Sequence, residues 1–198
     1  MPGMPAPVAD EREGLLAFVA QQRDLEATAA FGLTDEQARS VPTVSAFSVG
    51  GLVKHVTSMA RGWMDTVLQR ERPADAESTY GDDFVMTEDE TLADLLADLA
   101  AAGAETEAIV AGIDDLGQAV PVPDEPWFPK DVDAWSVRFV LLHLIEEVAR
   151  HAGHADIIRE HVDGATWYGL MAAREQLDLG PWVQPWTPDG EPDGATAA

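Results

Sequence analysis

Four long segments of the chain repeat apolar residues at the three- and four-residue spacing of an amphipathic helix. They run from about Asp10 to Ala30, from Ser48 to Val67, from Thr87 to Ile113 and from Ser136 to Val162. No segment alternates apolar and polar residues with the period of two that a half-buried strand requires. The pattern therefore predicts a protein built from helices.

The ends of these segments carry the residues that start and stop helices. Ser48 and Ser136 are predicted N-caps, and Thr87 with Glu90 has the form of a capping box that opens the third helix. Another capping box, Thr34 to Gln37, predicts one short helical turn, which Pro42 ends. A loop over 70–79 is expected after the second helix, and a short helix from Trp167 to Leu177 is expected after the fourth.

A stretch rich in Pro and Asp separates Ile113 from Ser136, and it is long for a connection between helices. The predicted fold is therefore an all-α four-helix bundle with a long crossover connection and a short C-terminal helix. Because the chain has 198 residues, we expect a single domain over 1–187. The small and acidic residues 188–198 are expected to form a disordered tail.

The charge of the chain narrows the choice of partners. Lys and Arg total 12 against 36 for Asp and Glu, which gives a formal net charge of −24. Such a surface repels phosphate backbones and anionic lipid, so we expect neither nucleic acid nor membrane as a partner. The N-terminus lacks the basic and apolar regions of a signal peptide, and no apolar run reaches the roughly 18 residues of a membrane span. A cytoplasmic protein is expected.

The absence of cysteine leaves histidine and carboxylate as the strong metal ligands. Four of the five histidines fall in the fourth helix. At 3.6 residues per turn, His151 points into the apolar stripe of that helix, and Glu147 and His154 lie on its shoulder. His55 lies at the edge of the stripe of the second helix. Three titratable groups, His55, Glu147 and His151, are therefore expected to face one interior.

Burying a carboxylate and two imidazoles is costly unless something compensates, and a divalent metal does so well. Two histidines and one carboxylate form an open ligand set of the kind found in catalytic sites. Zinc suits these ligands, and nickel, iron or manganese fit them too. The alternative is that Glu147 and His151 form an ordinary hydrogen-bonded pair on a helix surface.

The other histidines and two large apolar residues have more than one interpretation. Three roles are open to His154: a further metal ligand, an outer donor that orients a ligand, or a residue that lines the pocket. The outer donor and the pocket residue are favoured. His143 and His161 are expected to be structural or exposed. Met59 and Trp63 are expected in the core, with the mouth of a pocket as the alternative.

Several motifs of the chain resemble those of the DinB-like superfamily, and specifically its branch near the mycothiol-dependent enzymes. They are Ser48-Val-Gly-Gly-Leu-Val-Lys-His55, Gly62-Trp63, Trp135-Ser136, the block from His143 to Asp156, and Trp182-Val-Gln-Pro185-Trp186. The resemblance implies a four-helix bundle that holds a divalent metal through His55, Glu147 and His151. Many relatives carry a third histidine at the position of Glu147, and the carboxylate resembles the variant in mycothiol-dependent maleylpyruvate isomerase.

The function implied by this resemblance is that of a metal-dependent thiol transferase. The isomerase carries a further C-terminal domain, so a transferase is expected here in preference to an isomerase. The metal would bind the sulfur of a low-molecular-weight thiol, such as mycothiol, and hold it as a thiolate that attacks a small electrophile. His154 is the candidate catalytic residue, as a proton carrier.

Two alternatives stay open. The first is a non-catalytic metal-binding stress protein, and the second is a metal-dependent hydrolase in which the open position activates water. The resemblance also allows a homodimer, although no interface is evident in the sequence.

Overall fold

The structure, a computed structural model, describes residues 3–70 and 81–188. Its helices are α1 (Glu11–Ala29), α2 (Asp35–Arg39), α3 (Val49–Val67), α4 (Leu92–Ala111), α5 (Val137–Asp163) and α6 (Trp167–Arg174). The most extensive packing joins α1 to α5 and α3 to α4, and α3 also packs against α5. The predicted all-α fold is confirmed. Almost all of the loop predicted over 70–79 and of the tail predicted over 188–198 lies outside the described residues.

Short polar side chains begin the helices, as the sequence predicted. The hydroxyl of Ser48 accepts a hydrogen bond from the Gly51 amide, and the hydroxyl of Ser136 accepts one from the Phe139 amide, each at 3.1 Å. Thr34 forms the expected reciprocal capping box at the start of α2. These caps satisfy amides that have no partner within the helix, and so they fix where each helix begins.

The start of α4 differs from the prediction. The helix begins at Leu92 with Thr91 as its N-cap, and not at Thr87. The Glu90 carboxylate does accept from the Thr87 amide at 2.7 Å, but this bond closes a turn that precedes the helix. Arg39 donates to the carbonyls of Thr87 and Glu90, which holds that turn outside the helical hydrogen-bond pattern.

The long connection between α4 and α5 contains a small sheet that the sequence did not predict. Strand β1 (Ala119–Pro121) pairs antiparallel with β2 (Ala134–Ser136), and Val120 lies opposite Trp135. With three residues each, these strands are too short to show a period of two. Helix α6 also ends earlier than predicted, at Arg174 and not at Leu177, because Gln176 adopts a left-handed conformation with φ of 54°.

Two apolar clusters fill the interior, one toward each end of the bundle. Leu52, Val56 and Val148 belong to the first cluster. Trp63 and Leu144 belong to the second cluster. On α5, Glu147 lies between Leu144 of the second cluster and Val148 of the first, and His151 follows Val148, so the candidate site borders the first cluster near its junction with the second. Among the described residues, no helix has the length and apolar character needed to cross a membrane.

Candidate metal centre

His55, Glu147 and His151 come together where α3 faces α5. One ligand atom from each side chain lies within 4.8 Å of the other two. Glu147 and His151 occupy successive turns of α5, and residues four apart share one face of a helix. All three side chains are half-buried. Over residues 3–70 and 81–188, this is the one group of three or more His, Asp and Glu side chains with such close spacing.

The ring of His55 is held between aromatic neighbours. Phe84 stacks on it with centroids 3.8 Å apart, and the His151 ring meets it edge-on at 4.8 Å. The Nδ1 atom of His55 is buried and has no hydrogen-bond partner among the described residues. Burial, with a further effect from His151, lowers the pKa of His55 to about 4. The imidazole is therefore neutral at pH 7, with a lone pair available to a cation.

Glu147 is ionised in the same surroundings. Burial, the largest influence, acts to raise the pKa of Glu147, but the hydrogen bond and charge of His143, with the charges of His151 and His55, together lower it below its usual value. Burial also lowers the pKa of His151, and the charge of Glu147 opposes that shift. At neutral pH the cluster thus combines one carboxylate with two neutral imidazoles, a donor set that zinc and similar divalent metals bind. The residues present fit such an ion.

His143 is the residue of this site that the sequence reasoning missed. Its Nε2 atom donates to Glu147 Oε2 at 2.6 Å, so it touches the cluster directly. The expectation of a structural or exposed role did not include this contact. The four-residue spacing from His143 to Glu147 could have indicated this contact, because residues four apart share one face of a helix, as Glu147 and His151 do.

The remaining candidates take up different positions. His154 lies outside the cluster, with its ring edge against Phe47 at 5.3 Å. His161 is exposed, and its Nδ1 atom lies 2.8 Å from the carbonyl of Ile157. Trp63 is in the core as predicted, and its ring also meets that of His143 at 4.8 Å. Met59 packs against both apolar clusters.

Gly51 gives Phe84 room to cover His55. A Cβ atom at Gly51 would collide with the backbone carbonyl of Phe84. We therefore expect Gly51→Ala to displace Phe84 from His55 and to lower the free energy of unfolding by about 1–3 kcal/mol, as overpacking does. Gly62→Ala on the same helix is the matched control, since a Cβ there meets no atom of the described residues within 4 Å. The control should be neutral or stabilising by up to about 1 kcal/mol. Urea unfolding that shows equal stability for the two variants would contradict this prediction.

The protein is a helical bundle in which two histidines and a carboxylate converge from two helices. These features are typical of the class of helical proteins with a divalent-metal site. The chain belongs to the mycothiol-S-transferase family, whose family model matches residues 14–164. The resemblance to the DinB-like superfamily seen in the motifs is thereby confirmed.

A solved structure supports the fold. The chain is similar to the protein described as "Crystal structure of the conserved protein of locus from Enterococcus faecalis", with a TM-score of 0.62 and 16% sequence identity. The similarity covers 80% of this chain and 100% of that one. At this identity the likeness shows the fold alone. No curated protein matches the chain in sequence.

Proposed function

We propose that this protein is a divalent-metal-dependent S-transferase that joins a low-molecular-weight thiol of the mycothiol type to a small electrophile. The observation that carries the proposal is the cluster of His55, Glu147 and His151 in a chain of the mycothiol-S-transferase family. The buried Nδ1 atom of His55 supports it, because no described residue bonds this atom and leaving it without a partner is costly. Zinc is the proposed metal, and nickel, iron and manganese accept the same donors.

His55, Glu147 and His151 would hold the metal. When bound, a divalent metal supplies Lewis acidity, which lowers the pKa of a coordinating thiol toward neutrality. The chain has no cysteine, so the reacting sulfur comes from the thiol substrate. Phe84 covers one face of His55 and excludes water from that side of the cluster.

The conjugation forms one carbon–sulfur bond and expels the leaving group with its electron pair, while the thiol gives up a proton. We propose His154 as the group that takes up this proton. It follows His151 by three residues on α5, is half-buried and lies outside the three-residue cluster. Histidine is the side chain that proteins use most often to accept or donate a proton in catalysis.

The test compares two adjacent glutamates. Glu147→Ala removes a proposed ligand, whereas Glu146→Ala removes the neighbouring carboxylate, whose side chain is 66% exposed. Elemental analysis of untagged protein should find one metal per chain in wild type and in Glu146→Ala. In Glu147→Ala, the metal affinity should fall by more than the roughly 10–100-fold that is typical of losing an outer partner. Conjugation of mycothiol to 1-chloro-2,4-dinitrobenzene, followed by absorbance, should be lost in the same variant.

The other outcomes separate the alternatives. Metal binding without thiol consumption, with any of several electrophiles, would indicate a non-catalytic metal-binding protein. Metal-dependent ester hydrolysis that needs no thiol would indicate a hydrolase. Failure of wild-type protein to bind metal after reconstitution would refute the proposal.

A further inference from the structure

His143 lies on the same face of α5 as the two proposed ligands of that helix, one turn before Glu147. Its Nε2 atom is 2.6 Å from Glu147 Oε2, a short distance typical of a hydrogen bond to a charged group. Its Nδ1 atom lies 3.4 Å from Glu146 Oε2 on the outer side of the helix. The imidazole therefore bridges an exposed carboxylate and the carboxylate of the candidate metal site.

The orientation of this imidazole is set by aromatic side chains from other turns. Trp63, on α3, presents its ring to His143 at 4.8 Å with an interplanar angle of 74°. Phe139 lies parallel to the His143 ring, at 6.3 Å and 9°. Trp63 is itself anchored in the core, where its ring contacts Trp135 at 5.6 Å. Packing against Trp63 and Phe139 therefore restricts the orientation of the donor aimed at Glu147.

A fixed donor matters because Glu147 is a flexible side chain on the shoulder of the helix. Its side chain is 27% exposed. Ordering such a side chain costs rotamer entropy, and metal binding would otherwise have to meet this cost. A carboxylate that accepts one N–H bond retains its other oxygen and further lone pairs for a cation.

We infer that His143 is a positioning residue, which holds the Glu147 carboxylate in the orientation that completes the cluster with His55 and His151. The inference rests on the proposed metal site. His143 acts through Glu147 and is not itself a ligand, since it lies outside the group of atoms that approach one another within 4.8 Å. Outer partners of this kind usually contribute 10–100-fold to metal affinity.

Two substitutions at one position separate positioning from packing. His143→Leu keeps an apolar side chain of similar size beside Trp63 but removes the N–H donor. His143→Gln keeps an N–H donor that can reach Glu147. The probe is Zn²⁺ alone, and the measurement is its dissociation constant in competition with a chromophoric chelator. We expect about 10–100-fold weaker binding for His143→Leu. Binding by His143→Gln should stay within a few-fold of wild type.

A second histidine and the apo protein provide the controls. His161→Leu, on the same helix, replaces an exposed imidazole far from the cluster and should leave the zinc affinity unchanged. The melting temperature of the metal-free protein should be similar for His143→Leu and His143→Gln. Equal losses of affinity in both variants, accompanied by equal losses of apo stability, would assign His143 a packing role only and overturn the inference.

The result also distinguishes this inference from the proposed function. If wild type binds one zinc, Glu147→Ala loses it and His143→Leu binds as tightly as wild type, the metal site stands and the role of His143 is refuted. If wild type binds no zinc, the proposed function itself fails. X-ray absorption should count two imidazoles around zinc in wild type, and a count of three would make His143 a ligand and overturn the positioning role.

Discussion

Glu26→Gln is expected to stabilise the protein at pH 7 and to leave its stability nearly unchanged at pH 4. Glu26 lies on α1 and is 0% exposed, and within residues 3–70 and 81–188 neither of its carboxylate oxygens has a hydrogen-bond partner. Burial, with a further effect from the charge of Asp156 on α5, raises the pKa of Glu26 to about 8. A neutral amide of the same shape avoids the cost of ionising this group in the interior.

The direction of the pH dependence follows from proton binding. A carboxyl group whose pKa is higher in the folded than in the unfolded state binds more protons when folded, so the stability falls as the pH rises. For Glu26 the loss begins near its unfolded pKa of 4.5 and is complete near its folded pKa of about 8. At pH 7 the free energy of unfolding is lower by at most about 3.5 kcal/mol, at about 1.4 kcal/mol per pH unit.

The surroundings of Glu26 reinforce this effect. Burial, and then the charge of Glu160, raises the pKa of Asp156 to about 6. One oxygen of Asp156 is also buried, and no residue that the structure describes bonds it. The nearby cations are engaged elsewhere: Arg159 pairs with Asp163, and Arg174 pairs with Asp24. Two carboxyl groups thus face each other between α1 and α5 with no cation bonded to either of them in the part of the chain that the structure describes.

Urea unfolding at pH 4, 6 and 7.5, in a chelator so that metal binding makes no contribution, measures the effect. The increase in the free energy of unfolding caused by Glu26→Gln should become larger from pH 4 to pH 7.5. Glu13→Gln, an exposed glutamate on the same helix, is the control and should change the stability by less than about 1 kcal/mol at each pH. A gain that is the same at all three pH values would contradict the prediction.

The sequence predicted the main helices because their apolar spacing and their caps agree. Ser48 and Ser136 start α3 and α5 in the structure, and the phase of each helix then brings His55 toward Glu147 and His151. The direction of each of these side chains on its own helix follows from local geometry, since a helical wheel fixes it from the position in the chain.

Features that depend on contacts between distant segments were not predictable in this way. On α1 the polar residue Glu26 is buried, whereas its apolar neighbour Leu25 is only half-buried. The Ala-rich end of α1 gives no strong apolar face, so its rotation is decided by packing against α5. The contact of His143 with Glu147 likewise depends on Trp63, which arrives from another helix.

Arg159 is expected to be one of the most costly side chains to remove. It lies on α5, is 0% exposed, and forms a bidentate pair with Asp163, both N···O distances being 2.9 Å. Its Nη1 atom donates to the carbonyls of Ala29 and Phe31, at 2.8 and 2.7 Å. The guanidinium also lies over the ring of Trp186, 5.0 Å from its centroid. One side chain thus ties the end of α1 and the segment after α6 to α5.

We expect Arg159→Leu to lower the free energy of unfolding by about 3–5 kcal/mol, since it leaves buried carbonyls and a carboxylate without their donor. Arg159→Lys should recover only part of this loss, because one ammonium cannot replace a planar fork that serves three acceptors.

The matched control is Arg138→Leu. Arg138 also forms a bidentate pair, with Glu11, but its side chain is 40% exposed. Removing this surface pair should change the stability far less, because solvent screens its charges. Urea unfolding at pH 7 measures all three variants, and equal losses for Arg159→Leu and Arg138→Leu would show that burial of the Arg159 network adds nothing to stability.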